Sequence, residues 1–231
     1  MCIKCDGLSR RGLMALIGAS TVTAGLPRAG HAASAVTPDE ALARLKAGNQ
    51  KFVTAPQLCE ADMAGQRASV AKGQSPWAVI LTCADSRVSP ELIFGGVGLG
   101  ELFVARNAGN MADTATMGTI EYGIEHLHAP LVVVLGHQNC GAVAAACEVA
   151  TKGTKLPGSI GPMVAAIVPA AKAVKGKPGD FIDNTVRENA RMTAAKITGQ
   201  SKIAHELVHE GKVKVVHARY DLNSGVVEFL S

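Results

Sequence analysis

The chain has 231 residues, 48% of them hydrophobic, which is ample for one domain with a proper core and gives no call for a second. Its formal charge of +4 invites a nucleic-acid reading. Most of that surplus comes from Lys4, Arg10, Arg11 and Arg28 near the start of the chain, and only 3% of the residues are aromatic and able to stack on bases, so no nucleic-acid partner is expected.

Ser9-Arg10-Arg11-Gly12-Leu13-Met14 sets paired arginines before a weakly apolar run over 15–26 and an Ala33-Ser34-Ala35 end. The pattern reads as a twin-arginine signal peptide over 1–35, with the mature domain at 36–231 and the periplasm as destination. An uncleaved tail or an amphipathic anchor are the alternatives. The run is too short and too rich in Gly, Ser and Thr to span a bilayer, and no cysteine near the cleavage region offers a lipid attachment, so no stable membrane anchor is expected. Of the six cysteines, Cys2 and Cys5 leave with the leader. Cys59 and Cys147 read as small core residues, a disulfide between them being the alternative in an oxidising compartment.

Thr37-Pro38-Asp39-Glu40 opens a helix over 37–53 with a cap, a first-turn proline and two early acids, and Leu42, Leu45 and Phe52 give it an apolar face. A polar connector with Gly65 and Gly73 leads to a strand over 77–82. A second strand over 101–107 follows a glycine-rich turn. Met117, Ile120, Ile124 and Leu127 make one helical stripe over 114–127. A strand over 131–136 precedes a helix opening at Gly141 and continuing to about 150. Two alanine-rich helical stretches, 159–174 and 180–199, and a helix near 201–210 complete the helices, with Gly211 as stop signal. A strand over 213–218 and a hairpin partner over 226–230 end the chain. Strands alternating with helices predict an α/β fold: a central, mostly parallel β-sheet flanked by helices, with an antiparallel edge strand, in a single domain.

Two of these strands end in chemistry. Val79-Ile80-Leu81-Thr82-Cys83-Ala84-Asp85-Ser86-Arg87 delivers a thiol, a carboxylate and a guanidinium at alternate positions where an apolar run stops. The second, at 131–136, ends in His137-Gln138-Asn139-Cys140. In an open parallel sheet ligands bind beyond the carboxyl ends of strands where the strand order reverses, so the two ends are expected to meet. Two thiolates and a neutral imidazole suit Zn²⁺, one per subunit, and three protein ligands leave a fourth position for water or substrate. The ligands stand 54 residues apart, so a tertiary fold and not a compact finger must assemble them. The bland alternative is a buried thiol, a surface Asp–Arg pair and a loop histidine, because His-x-x-Cys alone is a weak motif.

Asp85 and Arg87, two apart on an extended segment, could share a side and pair in bidentate fashion. Held so, Asp85 could accept a hydrogen bond from zinc-bound hydroxide and orient it; released, it could itself become the fourth metal ligand. A rival zinc motif, His205-Glu206-Leu207-Val208-His209, fits the metalloprotease His-Glu-x-x-His. It runs straight into Gly211 and a strand with no further His ligand, and reads better as a solvent-facing pair on a helix whose Ile203, Leu207 and Val208 pack inward. His126 and His128 have no partner spacing and read as surface residues.

At Cys83-Ala84-Asp85-Ser86-Arg87 and Gly136-His137-Gln138-Asn139-Cys140-Gly141 the sequence resembles the β-class carbonic anhydrases. The likeness extends to the opening helix at 41–52, to Leu102-Phe103-Val104-Ala105-Arg106-Asn107-Ala108-Gly109-Asn110 and to the closing strand from Val216-His217 to Tyr220-Asp221. It implies zinc on Cys83, His137 and Cys140, an Asp85–Arg87 dyad, and reversible hydration of carbon dioxide to bicarbonate and a proton. It also implies a homodimer or homotetramer with a substrate pocket lined across the subunit boundary. Plant-type members place a Gln nine residues before the first ligand, here Gln74, and their pocket Phe and Tyr fall on Phe103 and Tyr122, with Gly141 beside the last ligand. The bicarbonate-inhibited subgroup carries a Trp where this chain has Ile80. The nearest alternatives are a same-fold hydrolase of carbon disulfide or carbonyl sulfide and a zinc-binding protein without turnover.

Overall fold

The computed structural model describes residues 36–55 and 63–230; the leader at 1–35, with Cys2 and Cys5, and Cys59 lie outside them. Helix α1 (Pro38–Thr54) starts as its sequence dictates: the Thr37 hydroxyl accepts from the Glu40 N–H at 3.3 Å, and the Glu40 carboxylate accepts from the Thr37 N–H at 2.8 Å. It buries Leu45 and sets Leu42 and Phe52 against the core. Its buried Asn49 donates to the Ile93 and Gly225 carbonyls and accepts from the Val227 N–H, tying the helix to the end of the chain. The expected connector contains a further helix, α2 (Met63–Val70), before strand β1 (Ala78–Cys83). A one-turn helix, α3 (Pro90–Ile93), opens on a proline that needs no helical partner and precedes β2 (Leu102–Asn107).

The stretch expected as one helix over 114–127 changes pitch part-way. Helix α4 (Thr114–Glu121), capped by Asp113, gives way to a π-turn over Tyr122–His126, where the Leu127 N–H reaches back five residues to the Tyr122 carbonyl at 3.2 Å. Gly123 lies against the sheet there: a Cβ on it would sit 2.6 Å from Cγ2 of the fully buried Val79 and 3.1 Å from the Phe103 ring. Strand β3 (Leu131–His137) leads into α5 (Gly141–Lys152). The helix expected over 159–174 is two, α6 (Ile160–Ala165) and α7 (Val168–Val174), because Pro169 cannot donate to the carbonyl four residues back. Helices α8 (Phe181–Gln200) and α9 (Lys202–His209) and strands β4 (Lys214–Tyr220) and β5 (Val227–Leu230) complete the chain.

The sheet runs β2-β1-β3-β4-β5, parallel except for β5, which is antiparallel to β4 at the edge, as expected. Alternate residues of the central strands feed two apolar layers. Ile80, Val133 and Leu135 pack with Leu45 and Phe94 on one side, and Val79, Leu81, Val132 and Val134 with Ile120, Ile124 and Ile197 on the other. Burial on both faces is why these strands read as unbroken apolar runs. No helix among the described residues is long and apolar enough to cross a membrane.

The packing separates two glycines five residues apart. Gly123→Ala is expected to destabilise the protein by about 1–3 kcal/mol through overpacking against Val79. Gly118→Ala, on the exposed side of α4 with nothing within 4 Å of the new methyl, is expected to stabilise it by about 0.5–1 kcal/mol through helix propensity. Urea unfolding of both variants checks the contrast.

Candidate metal centre

The chain leaves β1 toward β2 on one side and crosses to β3 on the other, so the crevice where the order reverses lies between the carboxyl ends of β1 and β3. Cys83 is the last residue of β1 and His137 the last of β3. A two-residue turn follows β3, with Asn139 in the left-handed region at φ 53°, a conformation Asn tolerates, and it sets Cys140 at the N-cap of α5. The three ligand atoms lie within 4.8 Å of one another, with the two sulfurs 3.9 Å apart, and all three residues are buried. His137 is thus the end of the strand itself and not, as the bland alternative had it, a loop histidine.

The ring nitrogens of His137 are distinct. Nδ1 lies 2.9 Å from the Gln138 carbonyl, which can only accept, so Nδ1 carries the proton. Nε2, with its lone pair, is buried with no hydrogen-bond partner. A buried acceptor left unpaired beside two thiols is costly in a finished core and is what a metal ligand looks like before its metal is counted. The donor set therefore fits Zn²⁺.

The thiols are unequal. The hydrogen bond from Cys140 outweighs burial and brings Cys83 down to about 4, with the Gly109 N–H, 3.5 Å from its sulfur, assisting. Cys140 is pushed well above its ordinary value by the same hydrogen bond, then by burial and by the Cys83 charge. The shared hydrogen bond thus favours the thiolate on Cys83 and the thiol on Cys140. Gly109 is fixed by geometry: its φ is +87°, and a Cβ would lie 2.4 Å from Cδ1 of Ile167. Its carbonyl accepts from the buried Asn189 amide at 2.9 Å.

Asp85 and Arg87 pair, but not by strand alternation as expected. The backbone leaves β1 after Cys83 and turns, with the Val88 N–H on the Asp85 carbonyl at 3.0 Å. Asp85 Oδ1 accepts from the Arg87 backbone N–H at 3.0 Å and from Nε at 2.9 Å, and Oδ2 accepts from the guanidinium at 2.7 Å. These bonds hold the carboxyl well below the usual carboxylate range. Asp85 Oδ2 is 3.8 Å from His137 Nε2. Among the described residues the ligand group is Cys83, His137 and Cys140; Asp85, offered by the sequence also as a fourth ligand, is here held by Arg87 beside them.

Sequence reasoning missed Arg106. It stands on β2 opposite Thr82, and its guanidinium donates to the Cys83 carbonyl at 3.0 Å and the Asp85 carbonyl at 2.7 Å, clamping the backbone between ligand and dyad. Only the β1–β2 register could have revealed this. The expected pocket residues divide. Gly141, the first residue of α5, sits at the metal end. Phe103 pairs with Val79, four residues before Cys83, hence about 13 Å back along the strand, and its ring lies 6.0 Å from the 46%-exposed Tyr122. Gln74 precedes the start of β1. One chain does not bring these three to its own metal site.

The remaining candidates are accounted for. His205 and His209 are exposed on α9, with Ile203, Leu207 and Val208 packed inward as expected. His126 and His128 are exposed. Cys147 is a buried thiol donating to the Thr185 hydroxyl at 3.3 Å.

A family model described as carbonic anhydrase matches residues 78–227. The chain is 37% identical to carbonic anhydrase 2 of Mycobacterium tuberculosis, over 81% of this chain and 90% of that one. It is 34% identical to the carbonic anhydrase of Mycolicibacterium smegmatis, over 84% of this chain and 94% of that one. Among solved structures it is similar to Coccomyxa β-carbonic anhydrase in complex with acetazolamide, with a TM-score of 0.63 and 28% identity over 82% of this chain and 86% of that one.

Because the shared hydrogen bond lowers the Cys83 thiol and raises that of Cys140, zinc binding near pH 7 is expected to release fewer than two protons. Calorimetric titration with zinc in buffers of different ionisation enthalpy measures the number; release of two protons would overturn the unequal pair.

Proposed function

This chain belongs to the β-carbonic anhydrase family, and from that premise we propose how its own residues bring about the reversible hydration of carbon dioxide to bicarbonate and a proton. Zinc is its cofactor, held by Cys83, His137 and Cys140, and supplies the Lewis acidity that makes a water nucleophilic near neutral pH. The observation that carries the reading is the orphaned Nε2 of His137 between two sulfurs, with an ionised carboxylate 3.8 Å away.

Asp85 acts as an acceptor. The Arg87 hydrogen bonds hold its carboxyl well below the usual carboxylate range, so near neutral pH it is ionised and accepts rather than stores a proton. Arg87 occupies Oδ1 twice and Oδ2 once, and the further lone pair of Oδ2 can accept a hydrogen from the nucleophile and aim its oxygen at the carbon. Arg87 fixes that aim and Arg106 fixes the backbone from which it is made. Gly141 beside Cys140 leaves room at the mouth: nothing lies within 4 Å of where its Cβ would be. Neither hydrolysis of carbon disulfide or carbonyl sulfide nor zinc binding without turnover is favoured.

The chain works, on this reading, as a homodimer or homotetramer in the periplasm, reached by the twin-arginine route. Support for assembly comes from the Phe103–Tyr122 ring pair, Phe103 standing on the edge strand β2 too far along it to serve its own site. Support for export is Arg10-Arg11 with the apolar run and Ala33-Ser34-Ala35 behind it. Sedimentation of the mature chain as a monomer would overturn the first, and unchanged export after Arg10→Lys with Arg11→Lys the second.

Asp85→Asn at matched zinc content is expected to lower the hydration rate by about 10²-fold or more, with zinc retained. Stopped-flow hydration beside metal analysis checks it, and an undiminished rate would sink the assignment of Asp85.

A further inference from the structure

One metal-ligating pair is left unused by the reaction. Helix α9 carries His205-Glu206-Leu207-Val208-His209, and the structure shows a regular helix there: the His205 N–H bonds the Ser201 carbonyl at 2.9 Å and the Glu210 N–H the Glu206 carbonyl at 3.0 Å. Ser201 anchors its start, accepting from the Ala204 N–H at 3.0 Å while its hydroxyl donates to Glu121 at 2.6 Å. Residues four apart on such a helix share a face with Cβ atoms about 5–6 Å apart, a span that one ion about 2.0–2.1 Å from each imidazole nitrogen can bridge. Both imidazoles are exposed, and among the described residues neither makes a hydrogen bond or ion pair that would have to be broken.

We propose that His205 and His209 form a second, surface metal site that takes a divalent transition-metal ion, Zn²⁺, Ni²⁺ or Cu²⁺, through two imidazoles, with water in the remaining positions. The neighbouring acids lie in exposed ion pairs, Glu206 with Lys202 at 3.8 Å and Glu210 with Lys212 at 2.8 Å. The two imidazoles suit these ions and not the oxygen-seeking Mg²⁺ or Ca²⁺.

It is not the protease centre that its motif suggests. The distant carboxylate such a centre would need, Glu228 on β5, is bound by Arg187 at 2.7 Å. Nor is it an annex of the catalytic metal. Helix α9 feeds into the start of β4, where Lys214 pairs with Leu131 at the start of β3. His137 stands six residues further along β3, about 20 Å by strand rise. The two ions would occupy opposite ends of the parallel strands.

The test uses the full chain with its catalytic zinc in place. Equilibrium dialysis against Zn²⁺ or Ni²⁺, with metal quantified per chain, is expected to show a further bound equivalent. That equivalent should be lost in both His205→Ala and His209→Ala and kept in His126→Ala and His128→Ala. The catalytic zinc and the rate of carbon dioxide hydration should not change in any of the four. Equal metal content in the wild type, His205→Ala and His209→Ala would overturn the proposal, as would loss in His126→Ala or His128→Ala alone.

Discussion

The parallel pairing of β1 with β3 carries the site, because it alone brings the two halves of the metal centre to one crevice. The pairing runs from Val79 opposite Val132 to Thr82 opposite Leu135. Both strands are buried on both faces, so their apolar character does not specify how they align: a one-residue slip would exchange one set of aliphatic side chains for another. One polar contact accompanies the observed register. The buried Thr82 hydroxyl donates to the Leu135 carbonyl at 3.0 Å, a bond costly to leave unmade. With Thr82 level with Leu135, Cys83 and His137 end their strands within one residue of each other.

From this follows the electrostatic logic of the centre. The two buried sulfurs pack within an apolar cluster, but the unpaired Nε2 of His137 costs of order 1–3 kcal/mol. One divalent cation gives all three a partner at once and cancels the charge of two thiolates. The surroundings are arranged for that state: the Gly109 N–H on Cys83, the first N–H groups of α5 toward Cys140, and the Gln138 carbonyl on the far nitrogen of His137. Gln138 is itself held, its side chain accepting from the Leu222 N–H at 3.2 Å and from Asn223. The ligands are held by backbone groups whose places the sheet has fixed.

How much of this could be read from the chain depends on the range of each interaction. The capped start of α1, the buried strands and the ends bearing Cys83, His137 and Cys140 are local patterns of apolar periodicity and residue type, and they stand where the sequence put them. The Asp85–Arg87 pair was legible as a pair, but its geometry was not, since a turn that depends on a backbone hydrogen bond replaces the extended segment. The single helices expected over 114–127 and 159–174 are interrupted, by the approach of Gly123 to Val79 in one and by Pro169 in the other. Of these two causes only the proline was visible in the sequence. Arg106 was out of reach for the same reason as the separation of Phe103 from its own metal site: both follow from the β1–β2 register, and nothing short-range in the sequence encodes it.

The two histidine motifs of this chain show why spacing alone misassigns chemistry. His-Glu-x-x-His is the more specific string, and His-x-x-Cys the weaker one. Yet the stronger string lies on an exposed helix at the amino end of the strands, where water competes for every interaction and charges are worth little. The weaker one lies at the carboxyl end, where β1 and β3 stop together under the cover of α5 and the 107–111 turn, and where an unpaired lone pair cannot be solvated. Burial converts the same imidazole from a group that can bind a metal into one that must have a partner. The catalytic site is thus selected by the place at which the sheet leaves a donor unsatisfied, and residue type enters only by deciding which donor is left there.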